Sequence, residues 1–226
     1  MTSPSSTSKM PPWSYTALTA FETCPRRYYL TRVAKQVTEP PTEATIWGNR
    51  VHTAIEHRLQ SKAPLPDYLS TYEPMIAALV KKNGKKIIEE RFTLDKNFRP
   101  TTWTAPTAWC RGVVDAGIVG SKNAVILDWK TGKRKPDSSQ LKLFAALTFA
   151  HYPWVERVAT GFVWLKENSL DQEVFTRSQI PEIWQEFVQR VRRLEIAYAD
   201  QKWQASPSGL CAKWCPCTSC EFCGAR

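Results

Sequence analysis

The stretch that decides the fold is Ile126-Leu127-Asp128-Trp129-Lys130-Thr131-Gly132. An apolar run ends in Asp-x-Lys and then a turn. In a β-strand successive side chains alternate faces, so Asp128 and Lys130 share one face and Trp129 points to the other. A carboxylate beside an ammonium can hold a divalent cation and orient a water for attack on a phosphate. Asp-x-Lys recurs by chance, so its weight here comes from the residues around it.

Upstream, Gly120-Ser121-Lys122-Asn123 reads as a tight turn. With Ser121-Lys122 as a two-residue loop, Gly120 opposes Asn123, Ile118 opposes Val125, and Asp115 opposes Asp128 on the same face. Like charges opposed on a sheet are destabilising by about 0.2–1 kcal/mol, so a structure that keeps them implies a cation between them. A slip of one residue would send the two acids to opposite faces. Further upstream, Gly48-x-x-x-His52-x-x-x-Glu56 puts His52 and Glu56 one helical turn apart, flanking a core stripe of Val51, Ile55 and Leu59. Imidazole and carboxylate are both metal ligands, and imidazole suits manganese better than magnesium. Downstream, Gln140 opens a helix from which it can reach a phosphate or a water. Leu141, Phe144 and Leu147 on the same helix read as core.

The remaining periodicity predicts helices from Ser14 to about Cys24, over 44–61, 67–82 and 137–150, and from Pro181 to about Trp203. Strands are predicted at 86–94, 108–119, 124–130, 155–166 and 173–175. Helices, strands, a helix, strands and a helix in that order predict a mixed α/β sheet.

With 226 residues the chain suits one domain with an appended tail, and a net charge of +10 with pI 9.3 favours a polyanionic partner, nucleic acid first. No apolar run approaches the roughly 20 residues of a membrane helix. The Ser-, Thr- and Pro-rich residues 1–12 have no apolar core and read as a disordered arm rather than a secretory signal. The expectation is a soluble, cytoplasmic protein without a membrane partner. Arg26, Arg27, Arg32 and Lys35 interleave with Tyr28 and Tyr29, as in proteins that pair phosphate contact with base stacking. Lys133, Arg134 and Lys135 follow the Asp-x-Lys strand directly. Of seven cysteines, Cys211, Cys215, Cys217, Cys220 and Cys223 crowd the tail. In a reducing compartment this reads as metal binding, with thiolate-only ligation suiting iron–sulfur or zinc. Cys110 reads as a small core residue.

Together these residues resemble the PD-(D/E)XK nuclease superfamily, in its RecB-like branch with an iron–sulfur cluster, which includes CRISPR-adaptation exonucleases and AddB-type helicase-nucleases. Ser14-x-x-x-Leu18-x-x-Phe21-x-x-Cys24-Pro25-x-x-Tyr28 resembles that branch's opening segment. Gly48-x-x-x-His52 resembles its histidine motif, Gly112-x-x-Asp115 its first acid, Asp128-Trp129-Lys130 its signature acid and lysine, and Gln140 its last motif. Phe144 stands where the family often has Tyr.

The resemblance implies a restriction-endonuclease-like mixed sheet flanked by helices, with a nuclease domain over 13–205 and a Cys-rich metal-stapled tail over 206–226. It implies a DNA exonuclease using Mg²⁺ or Mn²⁺, held by His52, Asp115, Asp128 and the backbone carbonyl of Trp129, with Glu56 a weaker candidate. Asp115, Asp128, Lys130 and Gln140 would be catalytic. It also implies a 4Fe–4S cluster joining Cys24 to three tail cysteines, with Cys211, Cys215 and Cys220 preferred, Cys217 and Cys223 as rivals, and zinc within the tail as the alternative. The substrate would be DNA, single-stranded or with free ends. The implied setting is end processing in recombination or repair, in a bacterium or its virus, with a recombination or helicase protein as partner. The rivals are an endonuclease with the same site and a non-catalytic DNA-binding adaptor; the presence of Asp115, Asp128 and Lys130 together weighs against the adaptor.

Overall fold

The computed structural model describes residues 10–61, 63–134 and 137–224. Its elements are α1 (Tyr15–Thr23), α2 (Pro25–Tyr28), a π-helical turn (Tyr29–Val33), α3 (Glu43–Ser61), a 3-10 turn (Asp67–Tyr72) and α4 (Glu73–Lys81). Then follow β1 (Lys85–Leu94), β2 (Cys110–Val119), β3 (Asn123–Lys130), α5 (Ser139–His151), β4 (Arg157–Trp164), β5 (Ser169–Thr176) and α6 (Ile180–Asp200). Two compact units are formed, one of residues 41–184 and one of 10–40 with 185–224, and the division falls inside α6. The predicted disordered arm lies, up to residue 9, outside the described residues.

The unit of residues 41–184 is a five-stranded sheet in the order β1-β2-β3-β4-β5. All neighbours are antiparallel except β3 and β4, which run parallel with α5 as the crossover between them. The β2–β3 hairpin has the expected register: Gly120 N–H donates to the Asn123 carbonyl at 2.8 Å, and the ladder runs from Val119↔Ala124 to Ala116↔Leu127. It closes one pair short of Asp115 and Asp128. Gly117 is fixed by close approach, since a Cβ there would sit 2.7 Å from the Val125 carbonyl oxygen.

One sheet face presents Ala116, Ile118, Trp129 and Val163, with Leu165 just after β4, to Val51 and Ile55 of α3 and to Leu65, Leu69, Ile76 and Leu79. The stretch over 67–82 is a 3-10 turn followed by α4, because Pro74 at the second helical position starts a new helix. Gly84, at φ +128, then turns the chain into β1. Helix α5 buries Leu141 and the whole run from Leu143 to Phe149. Beyond its polar first turn it is therefore buried on all sides, as a helix inside a core must be.

The other unit rests on Ser14, whose hydroxyl accepts from Ala17 N–H at 3.2 Å and starts α1. Along α6, Phe187, Val191, Leu194 and Tyr198 are buried at helical spacing. Trp13 stacks on Phe187 at 5.8 Å, and Arg190 binds both carboxylate oxygens of Glu22 at 2.8 Å. Trp203 stacks on Tyr28 and Tyr29, and Arg26 N–H donates to the Gln204 carbonyl, so the segment after α6 packs on the N-terminal helices.

Candidate active site

The site grows from the C-terminal end of β3. Asp128 and Lys130 share a face, as alternation requires, and Lys130 Nζ lies 2.6 Å from Asp128 Oδ2. The first turn of α5 places Gln140 against both: its Nε2 donates to Asp128 Oδ1 at 3.0 Å and its Oε1 accepts from Lys130 Nζ at 3.0 Å. A carboxylate, an ammonium and an amide thus close a triangle that fixes the lysine. Phe162 on β4 puts its ring 4.8 Å below the same ammonium.

The peptide of Trp129 organises the other half. Its N–H donates to Asp115 Oδ2 at 2.9 Å, and its carbonyl accepts from His52 Nε2 at 2.9 Å. His52 Nδ1 lies 3.4 Å from Asp115 Oδ2. His52 reaches the sheet because α3 comes close to it at Gly48, where a Cβ would stand 3.2 Å from Thr131 Oγ1. That approach gives Gly48-x-x-x-His52 its structural meaning.

One acid of the site is not among those singled out in the sequence. Glu89 on β1 falls opposite Asp115, between the pairs Ile88↔Ala116 and Glu90↔Val114, and its backbone is left-handed at φ +47. Non-glycine residues in that region are uncommon and concentrate where geometry serves function. Ligand atoms of His52, Glu89 and Asp115 all lie within 4.8 Å of one another, so a possible acidic metal site exists here. The nearest sequence signal is the acidic pair Glu89-Glu90, which follows Ile87-Ile88 inside β1. The loop from 95 to 109 is too long to fix the register that brings Glu89 to Asp115.

Electrostatically the site is short of positive charge. Burial, and then the neighbouring Asp128, push the Asp115 carboxyl up to about 8. Asp128 is also raised by burial, against the pull of Lys130. Glu89 is raised by burial and by the charges of Glu56 and Asp128. Hard oxygen donors, one imidazole and a deficit of cations fit a divalent metal. A cleft of about 430 Å³ lined by Gly48, Asn49, His52, Glu56, Glu89 and Thr131 gives access. Glu56 lines it, but its carboxylate accepts from Gln60 Nε2 at 2.9 Å and stands outside the three-residue group.

The basic and aromatic residues read as DNA contacts divide. Tyr28 is a correction: it is 4% exposed, stacks on Trp203 and hydrogen-bonds Tyr198 Oη at 3.3 Å, so no base can reach its ring. Its alternation with arginines is that of a helix burying one side. Arg27 is bound by both oxygens of Glu39, at 2.9 and 3.0 Å. Arg134 is bound by Asp171 of β5, whose carboxyl is thereby held below its usual range. Lys133 and Arg26 are exposed, and Lys135 lies outside the described residues.

In the other unit all six cysteines are free thiols. Cys24 Sγ accepts from Ser206 N–H at 3.5 Å, which sets it beside the start of the tail. Cys217 is buried, and burial followed by the Cys215 thiol pushes it up to about 12, against the pull of Arg27. Cys211 Sγ accepts from Ser208 N–H at 3.4 Å. Among the described residues no three thiols lie within 4.8 Å of one another. Cys110 is fully buried in β2.

No curated protein matches this sequence. Among solved structures, the chain is similar to a "Putative exonuclease" from Eubacterium rectale, with a TM-score of 0.51 at 12% identity, covering 94% of this chain and 86% of that one. It is also similar to SSO0001, with a TM-score of 0.45 at 13% identity, covering 82% and 79%. At such identities the likeness is one of fold, and the five-stranded mixed sheet between helices is a restriction-endonuclease-like fold. The family model of the PD-(D/E)XK nucleases matches residues 12–223. With nearly the whole chain matched, this protein belongs to the PD-(D/E)XK nuclease superfamily.

Proposed function

We propose that the chain is a deoxyribonuclease that uses Mg²⁺ or Mn²⁺ and works from free DNA ends. The observation that carries this reading is the convergence of His52, Asp115 and the Trp129 carbonyl beside a lysine clamped by Asp128 and Gln140. Asp115, Asp128, Glu89, His52 and the Trp129 carbonyl would hold the metal, with Glu56 at the cleft wall. When bound, the metal supplies charge to a phosphate oxygen and acidity to a water. Lys130 donates to the scissile phosphate or its attacking water and offsets charge that develops there. Gln140 and Asp128 together keep the ammonium aimed. Lys133 and Arg26 are the basic side chains of the expected DNA set without a carboxylate partner among the described residues; Arg134 would have to leave Asp171 to take a phosphate. Work from ends rests on the sequence resemblance, and the name of the Eubacterium rectale protein is in keeping with it. End processing in recombination or repair, beside a recombination or helicase protein in a bacterial or virus-infected cell, is the setting that goes with it. Among the described residues no helix is long and apolar enough to cross a membrane.

Labelled linear DNA and covalently closed single-stranded circles, each incubated with Mg²⁺ or Mn²⁺, test the reading. Linear DNA should shorten and circles should survive, and Asp128→Ala should abolish the shortening in either metal. Cut circles would make the enzyme an endonuclease; linear DNA left whole in both metals would end the nuclease proposal.

The second part of the proposal concerns the cysteines. Cys24, Cys211, Cys215 and Cys220 would hold a 4Fe–4S cluster that staples the unit of residues 10–40 and 185–224. Supporting it, Cys24 lies beside the tail and Arg27 stands where it offsets thiolate charge at Cys215 and Cys217. Anaerobically purified protein should be brown, and serine at any of the four positions should bleach it while serine at Cys217 or Cys223 should not. Colourless protein containing stoichiometric zinc would refute the cluster.

A further inference from the structure

Helix α3 carries a second surface that catalysis leaves unused. Asn49, His52, Thr53 and Glu56 line the catalytic cleft. Farther round the same helix stand Arg50 and Trp47, facing Tyr68 of the 67–72 turn. Trp47 is 39% exposed and Tyr68 is 45% exposed, with ring centroids 5.8 Å apart and tilted by 54°. The Arg50 guanidinium lies 4.4 Å over the Tyr68 ring, and its Nε donates to Tyr68 Oη at 3.1 Å. Arg50 is exposed and has no carboxylate partner among the described residues, so its remaining donors are open. A cleft of about 440 Å³ lined by Arg50, Thr53, His57, Pro66 and Tyr68 opens beside the rings. Thr53 lines this cleft and the catalytic one, so the two are neighbours across a single helix.

Open aromatic rings beside an open guanidinium are a chemistry with a specific complement. Every base has a π-face, but in a duplex that face is covered by its neighbours. Only a single strand can lay a base on a protein ring while its phosphate meets a cation. The protein's net charge of +10 favours that polyanion over an acid-poor protein partner. We propose that Trp47, Arg50 and Tyr68 form a subsite for single-stranded DNA, on which unpaired bases stack as the strand leads to the catalytic cleft. The identity of the polymer rests on the nuclease reading; its single-stranded state rests on these residues.

The test uses the full chain, a chelator to prevent cleavage, and fluorescein-labelled oligothymidylate beside a labelled hairpin duplex. Trp47→Ala should weaken oligothymidylate binding about 5- to 150-fold, the range of one lost base stack, and change duplex binding by less than about twofold. Trp47→Phe, which keeps a ring, should retain most of the affinity. Arg50→Ala should lower the slope of log affinity against log salt by roughly 0.7, one phosphate contact on a single strand. Wild-type affinity for oligothymidylate in Trp47→Ala and Tyr68→Ala would overturn the subsite, as would equal losses for single strand and duplex. If linear DNA is left whole in both metals while Trp47→Ala still loses oligothymidylate selectively, the catalytic reading fails and the subsite stands.

Discussion

Replacing Asp115 by Asn should make the metal-free protein more stable at pH 8 and remove its response to metal. In the folded protein the Asp115 carboxyl is pushed up to about 8 from an ordinary 3.8, first by burial and then by Asp128. A carboxyl raised on folding binds its proton more tightly in the native state. Its contribution therefore favours folding at low pH and is lost as pH rises from about 4 towards 8. Each tenfold gain in proton affinity corresponds to about 1.4 kcal/mol, so the ceiling is roughly 5–6 kcal/mol. Asp128 and Lys130 share the charge, and local relaxation lowers the cost, so a gain on the order of 2–3 kcal/mol is the expectation at pH 8. Asn keeps the oxygen that accepts the Trp129 N–H at 2.9 Å, so the substitution removes charge and little else. Urea unfolding with chelator at pH 5 and pH 8 reads this directly: wild type should lose stability over that interval and Asp115→Asn should lose much less. Adding Mn²⁺ at pH 8 should then stabilise wild type by mass action and leave the variant unmoved. Equal midpoints for the two proteins at pH 8 in chelator, or equal responses to Mn²⁺, would refute the view that this carboxylate is held strained for a cation.

Three other substitutions separate chemistry from packing. Lys130→Met should reduce turnover by about 10²- to 10⁴-fold while Mn²⁺ still raises the melting temperature, because the ammonium acts on the phosphate and water rather than on the metal. Gly117→Ala should cost about 1–3 kcal/mol in thermal or urea unfolding, since the new Cβ would meet the Val125 carbonyl oxygen at 2.7 Å and Ile126 Cδ1 at 2.9 Å. Tyr28→Phe should leave DNA affinity unchanged in a filter-binding or anisotropy assay, because that ring is buried against Trp203 and its hydroxyl meets that of Tyr198.

Much of the catalytic unit is legible because its information is local. A two-residue hairpin loop fixes the β2–β3 register, and alternation then fixes which face Asp128 and Lys130 share. The spacing of Gly48 and His52 is likewise a property of one helix turn. What escapes depends on elements far apart in sequence. Glu89 reaches Asp115 only through β1–β2 pairing across a long excursion, and its positive φ has no signature in the residues beside it. The triangle of Asp128, Lys130 and Gln140 is readable as three motif positions but not as one closed network. Tyr28 misleads because alternation of basic and aromatic residues describes a solvated nucleic-acid platform and an amphipathic packed helix equally well; the partner that decides between them, Trp203, lies at the other end of the chain. Trp47 and Tyr68 carry no local signal because their proximity is made by the turn at 67–72.

The peptide of Trp129 ties the anchoring of the sheet to the alignment of the reacting groups. Its indole is sunk among Val51, Ile55, Leu69 and Ile76, while the amide and carbonyl of the same residue hold Asp115 and His52 from behind. Trimming that indole would touch no atom that meets DNA, yet it would let the backbone unit tilt and carry both partners out of line. Position 129 is thus a hinge pin: a substitution there would present as a folding defect by calorimetry and as a loss of catalysis by rate, with one displacement underlying both.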